Sequence, residues 1–363
     1  MTIKPLSTLA LGLALLTPAV YAAGTLNIYN WSDYIAEDTV PNFKKATGIN
    51  VRYDVYDSNE VLRAKLMTGN TGYDLVVPSS NTLELGIKAG MFKPIDKSKI
   101  PNYKDLDPEL MRIMAQFDPG NQYAVPYFWG LNTLAINTDK VKKVLGGSLP
   151  ANPWDMIFKP EVVAKLKSCG VSVLDSPTEF FPMALHYAGK NPNSTNIEDY
   201  KALLPQLKAA RKSYARFSSS GYINELAGGS VCVAMGYSGD LNIAKRRAAE
   251  AKNGVKIEVL MPKQGTGIWV DSMVIPKDSA NSDNALKFIN YALDAKVAAN
   301  NANAVTYAPG SLAARKFVNK AYVSDRSIFP SKDDLKSSFV LLTMPPKVIQ
   351  GYTRLWQNLK AGH

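Results

Sequence analysis

The strongest constraint on this chain is an alternation of two hydrophobic periods that starts at Thr25. "TLNIYNW" (25–31) alternates with a period of two, as a strand does. "EDTVPNFKKATG" (37–48) follows with helical spacing and ends at a glycine. The pair recurs as "INVRYDVYD" (49–57) with "SNEVLRAKLMTGN" (58–70), and as "YDLVVPSS" (73–80) with "NTLELGIKAGM" (81–91). Ser58 stands where an N-cap is wanted. Parallel strands need a crossover between them, and a βαβαβα run supplies it, so the spacing predicts a parallel sheet flanked by helices.

Two longer extended segments interrupt the pattern. "QYAVPYFWGLNTLAINTDKV" (122–141) and "KIEVLMPKQGTGIWVDSMVIP" (256–276) are rich in β-formers and aromatics, and α/β alternation resumes between them. The order predicts two α/β lobes joined by two extended crossings, with a cleft between the lobes. The expected division is 25–131 with 269–309 for one lobe and 132–268 with 310–363 for the other. A chain of 363 residues is long enough for both.

Residues 1–22 belong to a different class. Lys4, an apolar run from Leu6 to Leu16, Pro18 and small residues around Ala22 have the layout of a secretory signal peptide cleaved near Ala22. The mature chain is then exported. In an oxidising compartment the two cysteines, Cys169 and Cys232, are expected to form a disulfide. The formal charge is +11, from 42 basic and 31 acidic residues, and removing Lys4 leaves +10. The basic residues are scattered, and the one dense stretch, Lys245-Arg246-Arg247, reads as a solvated helix face. No nucleic-acid motif accompanies them.

In open α/β sheets ligands bind beyond the carboxyl ends of the strands. That rule selects "WSDY" (31–34), "PSS" (78–80), "LDSPTE" (174–179), "GYSGD" (236–240), "WVD" (269–271) and "TYAPG" (306–310). The selected segments share one chemistry: Trp31, Asp33, Tyr34, Ser79, Glu179, Tyr237, Asp240, Trp269, Asp271 and Tyr307. Carboxylates accept from alkylammonium groups, and aromatic faces hold methylenes and cations. The set suits an organic cation. Each residue also has an ordinary explanation: Trp31 and Trp269 as interdomain packing, Asp33 and Asp240 as helix caps, Glu179 as a complement to a helix dipole.

Catalysis has little to work with. Histidines stand only at 186 and 363, "GYSGD" misses the G-x-S-x-G spacing, and "GTG" at 265–267 lacks the phosphate-loop lysine. Neither a metal nor a cofactor is expected. A secreted carbohydrate-active enzyme, with paired carboxylates beside aromatics, is the enzymatic alternative.

Taken together, "NIYNWSDYI", "YDLVVPS", "YAVPYFWG", "LDSPTE", "GYSGD", "WVDSMVIPKD" and "TYAPG" resemble the periplasmic putrescine- and spermidine-binding proteins of bacterial polyamine ABC transporters. The resemblance spans essentially the whole mature chain. It implies a two-lobed type II periplasmic-binding fold that closes over its ligand, a monomer, and delivery to an inner-membrane permease. It also implies ligand contacts at Trp31, Ser32, Asp33, Tyr34, Ser79, Glu179, Tyr237, Asp240, Trp269, Asp271 and Tyr307, and it supports the Cys169–Cys232 bridge. Asp271 would hold one terminal ammonium, with Glu179 and Asp240 toward other amine positions. An amine sensor of the same fold, presented to a signalling receptor, is the alternative. Trp269 resembles spermidine-type members, and Asp240 the putrescine type. The larger ring at 269 tips the expectation slightly toward spermidine.

Overall fold

The computed structural model describes residues 24–362. The expected signal peptide and its cleavage site lie outside the described residues.

Strands β1 (Thr25–Trp31), β2 (Asn50–Tyr56) and β3 (Leu75–Val76) form a parallel sheet in the order β2-β1-β3. The intervening helices are Thr39–Thr47 and Asn59–Met67. The first ends at left-handed Gly48, and Ser58 caps the second by accepting from the Val61 amide. A third helix, Ser80–Lys88, follows β3, and β4 (Phe92–Lys93) follows that helix.

The larger sheet is built on one long strand, β5 (Val125–Asn137). Its other members are β6 (Val171–Leu174), β7 (Arg216–Ser218), β8 (Val233–Tyr237), β9 (Ile257–Leu260) and β10 (Gly267–Met273). β11 (Ile275–Pro276) pairs with β4, β12 (Ala308–Pro309) with β5, and β13 (Phe339–Val340) with β10. The sheet runs β13-β10-β5-β8-β6-β7. β6, β7 and β8 are mutually parallel, while β5 runs antiparallel to both β8 and β10. The carboxyl ends of β6, β7 and β8 therefore share one edge, and the end of β5 at Asn137 lies at the opposite edge.

There are two hydrophobic cores. The first gathers Leu26, Ile28, Phe43, Leu75, Val125, Phe128, Val270 and Ile289; the second gathers Leu134, Ile136, Val173, Phe180, Met235 and Trp356. β5 contributes to the first core through Phe128 and to the second from Leu134 onward, which makes it a crossing between lobes. β10, antiparallel to it, is the return. The sequence places 310–363 with the second lobe. The packing divides that segment: Ala314, Val318 and Leu341 lie in the first core, and only Val348, Tyr352, Trp356 and Leu359 lie in the second. β13 pairs with Gly267 and Ile268 of β10, and Phe339 packs against both cores, so the chain leaves the first core between Leu341 and Val348. Cys169 and Cys232 are bonded, S–S 2.06 Å, and staple the loop before β6 to the residue before β8.

Candidate ligand-binding site

The ends of β1, β2, β7 and β8 and the middle of β10 converge on a cleft between the two cores, whose empty space with its open mouth is about 370 Å³. It is lined by Trp31, Ser32, Tyr34, Asp57, Ser79, Ser219, Ser220, Tyr237, Asp240, Trp269, Asp271 and Tyr307. Nine of these carry the sequence expectation. Asp57, Ser219 and Ser220 do not, although the strand-end rule applied to β2 and β7 points at all three.

The aromatic rings form a connected wall. Trp31 meets Tyr237 edge-on at 6.2 Å between centroids, Tyr237 meets Trp269 at 5.7 Å, and Trp269 meets Tyr307 at 5.3 Å. Tyr34 closes the series against Tyr307 at 5.2 Å. Edge-to-face pairs at these separations are favourable in themselves. The indole of Trp31 donates to the Val77 carbonyl at 2.9 Å, which fixes that ring. Trp269 stands over Gly130: a Cβ built there would come 2.7 Å from its Cζ2 and 3.0 Å from its Cη2. The larger ring thus takes up room that a glycine leaves in the wall. Its Nε1–H is buried without a hydrogen-bond partner.

Two aspartates sit among these rings. Asp271 immediately precedes a register shift between β10 and β5, an irregularity of the kind that re-aims a side chain. Its Oδ1 accepts from the Ser79 hydroxyl at 2.5 Å. Asp240 lies in the first turn of the helix Ser238–Ala251 and accepts from the Tyr307 and Tyr222 hydroxyls, both at 2.7 Å. Tyr307 is presented by Thr306, which ends its helix in the left-handed region at φ 57° and ties back to the Gly239 carbonyl. Asp240 therefore does not cap its helix through its side chain.

Burial governs the titration of these acids. It pushes the Asp240 carboxyl up to about 6 and that of Asp271 to about 7, against the opposing hydrogen bonds of their hydroxyl partners. Glu179 is raised furthest, to about 8, by burial and then by the charge of Glu60. Among the described residues, no lysine or arginine forms a salt bridge with Asp240, Asp271 or Glu179.

Two expected contacts lie outside the cavity wall. Asp33 adopts φ 53° and turns outward, where it accepts from Arg247 Nη2 at 2.7 Å. That ion pair joins the β1 end to the helix Ser238–Ala251. Glu179 is buried behind the wall, held by the Asn132 amide at 2.8 Å. Glu60 reaches it from the helix Asn59–Met67 and accepts from the Ser176 and Thr178 hydroxyls at 3.3 and 3.1 Å. A carboxylate-bearing, aromatic-walled cavity of this size is chemically matched to a short organic cation.

Comparisons with known proteins agree with this architecture. The sequence profile of the bacterial extracellular solute-binding protein family matches residues 38–330. The putrescine-binding periplasmic protein SpuD of Pseudomonas aeruginosa is 47% identical, over 93% of this chain and 92% of that protein. The putrescine-binding periplasmic protein PotF of Escherichia coli is 48% identical over the same shares of the two chains. Among solved structures, the spermidine/putrescine ABC transporter substrate-binding protein PotD of Streptococcus pneumoniae superposes with a TM-score of 0.75 at 27% identity, over 93% of this chain and 99% of that one. The chain belongs to the bacterial extracellular solute-binding proteins, and its fold is the two-lobed type II periplasmic-binding fold.

Proposed function

We propose that this protein is a periplasmic receptor that captures a diamine of the putrescine class and hands it to an inner-membrane ABC permease. The observation that carries the proposal is the pair Asp240 and Asp271, enclosed by Trp31, Tyr237, Trp269 and Tyr307; among the described residues neither forms a salt bridge, and Arg247, paired with Asp33, only partly offsets Asp240. Buried acids without a counter-ion are costly, and an alkyl diammonium removes that cost at both ends. The rings then hold the methylenes, each contributing about 0.5–2 kcal/mol where it also faces a charge. Ser79, Ser32, Ser219 and Ser220 supply neutral oxygens at the wall. The relatives named for putrescine, at 47% and 48% identity, support a diamine. Those named for both spermidine and putrescine stand at 35%.

The expected lean toward spermidine is corrected accordingly. It rested on the length of the Trp269 ring, but that ring is accommodated over Gly130 in the wall rather than along the cleft. Transport accounts for the site without a catalytic step. In this proposal the lobes are 24–131 with 269–341, and 132–268 with the C-terminal helix Pro346–Ala361. They close on the ligand as rigid bodies about β5 and β10. Calorimetry on refolded, ligand-stripped protein tests the proposal with putrescine, cadaverine, spermidine and agmatine. We expect 1:1 binding with putrescine the tightest. Spermidine tighter by tenfold, or no heat with any amine, would overturn it.

A further inference from the structure

The net charge of +10 is not spread over the molecule. Residues that pack with the first core, 24–131 and 269–341, carry 20 basic and 20 acidic side chains. Residues that pack with the second, 132–268 and 342–363, carry 21 basic against 11 acidic. One lobe is neutral and the other holds the whole excess.

Topology further concentrates it. Three helices of the second lobe end or begin at the sheet edge opposite the cavity. Thr138–Leu145 leaves the end of β5, Pro160–Leu166 leads into β6, and Ile197–Arg211 leads into β7. The helix Pro160–Leu166 packs on both of the others. They carry Lys142 and Lys143, Lys165 and Lys167, and Lys208 and Lys212 respectively, all exposed. Among the described residues, none of these six forms a salt bridge. A helix dipole favours a cation in the last turn. The acids on two of these helices, Asp139 and Glu161, pair instead with Lys256 and Lys159.

We propose that this cationic pole docks on an anionic lipid surface. The six charges are distributed over three helices and line none of the cavities between Arg63 and Tyr352 or around Trp31. A broad convex set of cations complements a plane of headgroups better than it complements a shaped acidic epitope. Docking by the end remote from the cavity confines the protein to a membrane face and leaves the cleft open to solvent. It also eases a conflict: a protein of net +10 would otherwise repel a cationic ligand, but these six lysines lie at the sheet edge opposite the cavity, and the Debye length at physiological salt is about 8 Å.

The test is co-sedimentation of the mature protein with vesicles of phosphatidylglycerol and phosphatidylcholine, against pure phosphatidylcholine, at low salt. The wild type should partition to the anionic vesicles and be released at 0.5 M salt, roughly where screening shortens to a few ångströms. The variant K142Q/K143Q/K165Q/K167Q should lose about 100-fold or more in partition coefficient, since each lysine near such a surface contributes about fivefold. A control, K44Q/K45Q/K104Q/K320Q, removes the same charge from the other lobe and should change partition by less than tenfold. Equal losses in both variants would reduce the effect to bulk charge and overturn the pole. So would equal binding to both vesicle types, or a requirement for a protein partner in place of lipid. Putrescine calorimetry on the same variants should be unchanged, so failure of the pole and failure of the ligand proposal are separable.

Discussion

Gly130→Ala isolates the contact that fits the largest ring into the cleft wall. The new Cβ would lie 2.7 Å from Trp269 Cζ2, 3.0 Å from Cη2 and 3.0 Å from Ser238 Oγ. Carbon atoms at rest are separated by about 3.5–4.0 Å, so the indole must withdraw by roughly 1 Å. β5 lies behind it and Tyr237 and Tyr307 flank it, which leaves the cavity as the free direction. Inserting a methyl into a packed site costs about 1–3 kcal/mol. Displacing a ring into the cleft takes that strain out of the ligand affinity. We expect putrescine affinity to fall between about 5-fold and 150-fold by calorimetry. Trp269→Phe in the same background should restore most of it, because the shorter ring clears the Cβ. Wild-type affinity in Gly130→Ala would refute the packing argument, and so would a failure of the second substitution to rescue.

Asp33→Asn removes an ion pair that is more than a third exposed, so affinity should change by less than about fivefold; a loss of 100-fold would return Asp33 to the ligand shell. Cys169→Ser with Cys232→Ser opens a link of 63 residues and should lower stability by about 4 kcal/mol in the chain-entropy model, read from urea unfolding, while leaving the cavity intact. The carboxyls of Asp240, Asp271 and Glu179 lie above their unfolded values, near 6, 7 and 8. Folded, ligand-free protein therefore holds protons that the unfolded chain has released above about pH 4, and its stability falls as pH rises through those values. Each unit of elevation is worth about 1.4 kcal/mol. Saturating putrescine needs the ionised acids, so affinity should improve from pH 5.5 to 8, with proton release at pH 7 in calorimetry across buffers. A flat profile would contradict the buried acids.

The alternation from Thr25 onward was sufficient to predict a parallel sheet, because each helix returns the chain to start the next strand at the same end; the order β2-β1-β3 was not in it. The strand-end rule found Trp31 and Tyr237 because β1 and β8 terminate at the cleft; Trp269 and Asp271 line it from within β10, which runs on to Met273. The rule stopped short of Asp57, which ends the strand "INVRYDVYD" without an aromatic beyond it, and of Ser219, which follows the three-residue strand β7 that the hydrophobic pattern does not mark. Asp33 and Asp240 look alike in one dimension. What separates them is a left-handed turn at 33 and the presence of Arg247, 214 positions away. The size of the ring at 269 misled because its meaning depends on Gly130, a neighbour only across the sheet. The segment from Ala314 to Leu341 was equally opaque. Its core is decided by where Ala314, Val318 and Leu341 pack, and the two-residue β13 leaves little trace in sequence.

The central claim is that a diammonium ligand is held by the acids of this cavity. Asp271→Asn tests it most directly, since the amide keeps the shape and can still accept from Ser79. Loss of one partner of a buried charge pair costs about 2–5 kcal/mol. Putrescine titrated into ligand-stripped Asp271→Asn, with far-UV circular dichroism unchanged, should bind at least about 30-fold more weakly than wild type. Binding as tight as wild type would contradict the account.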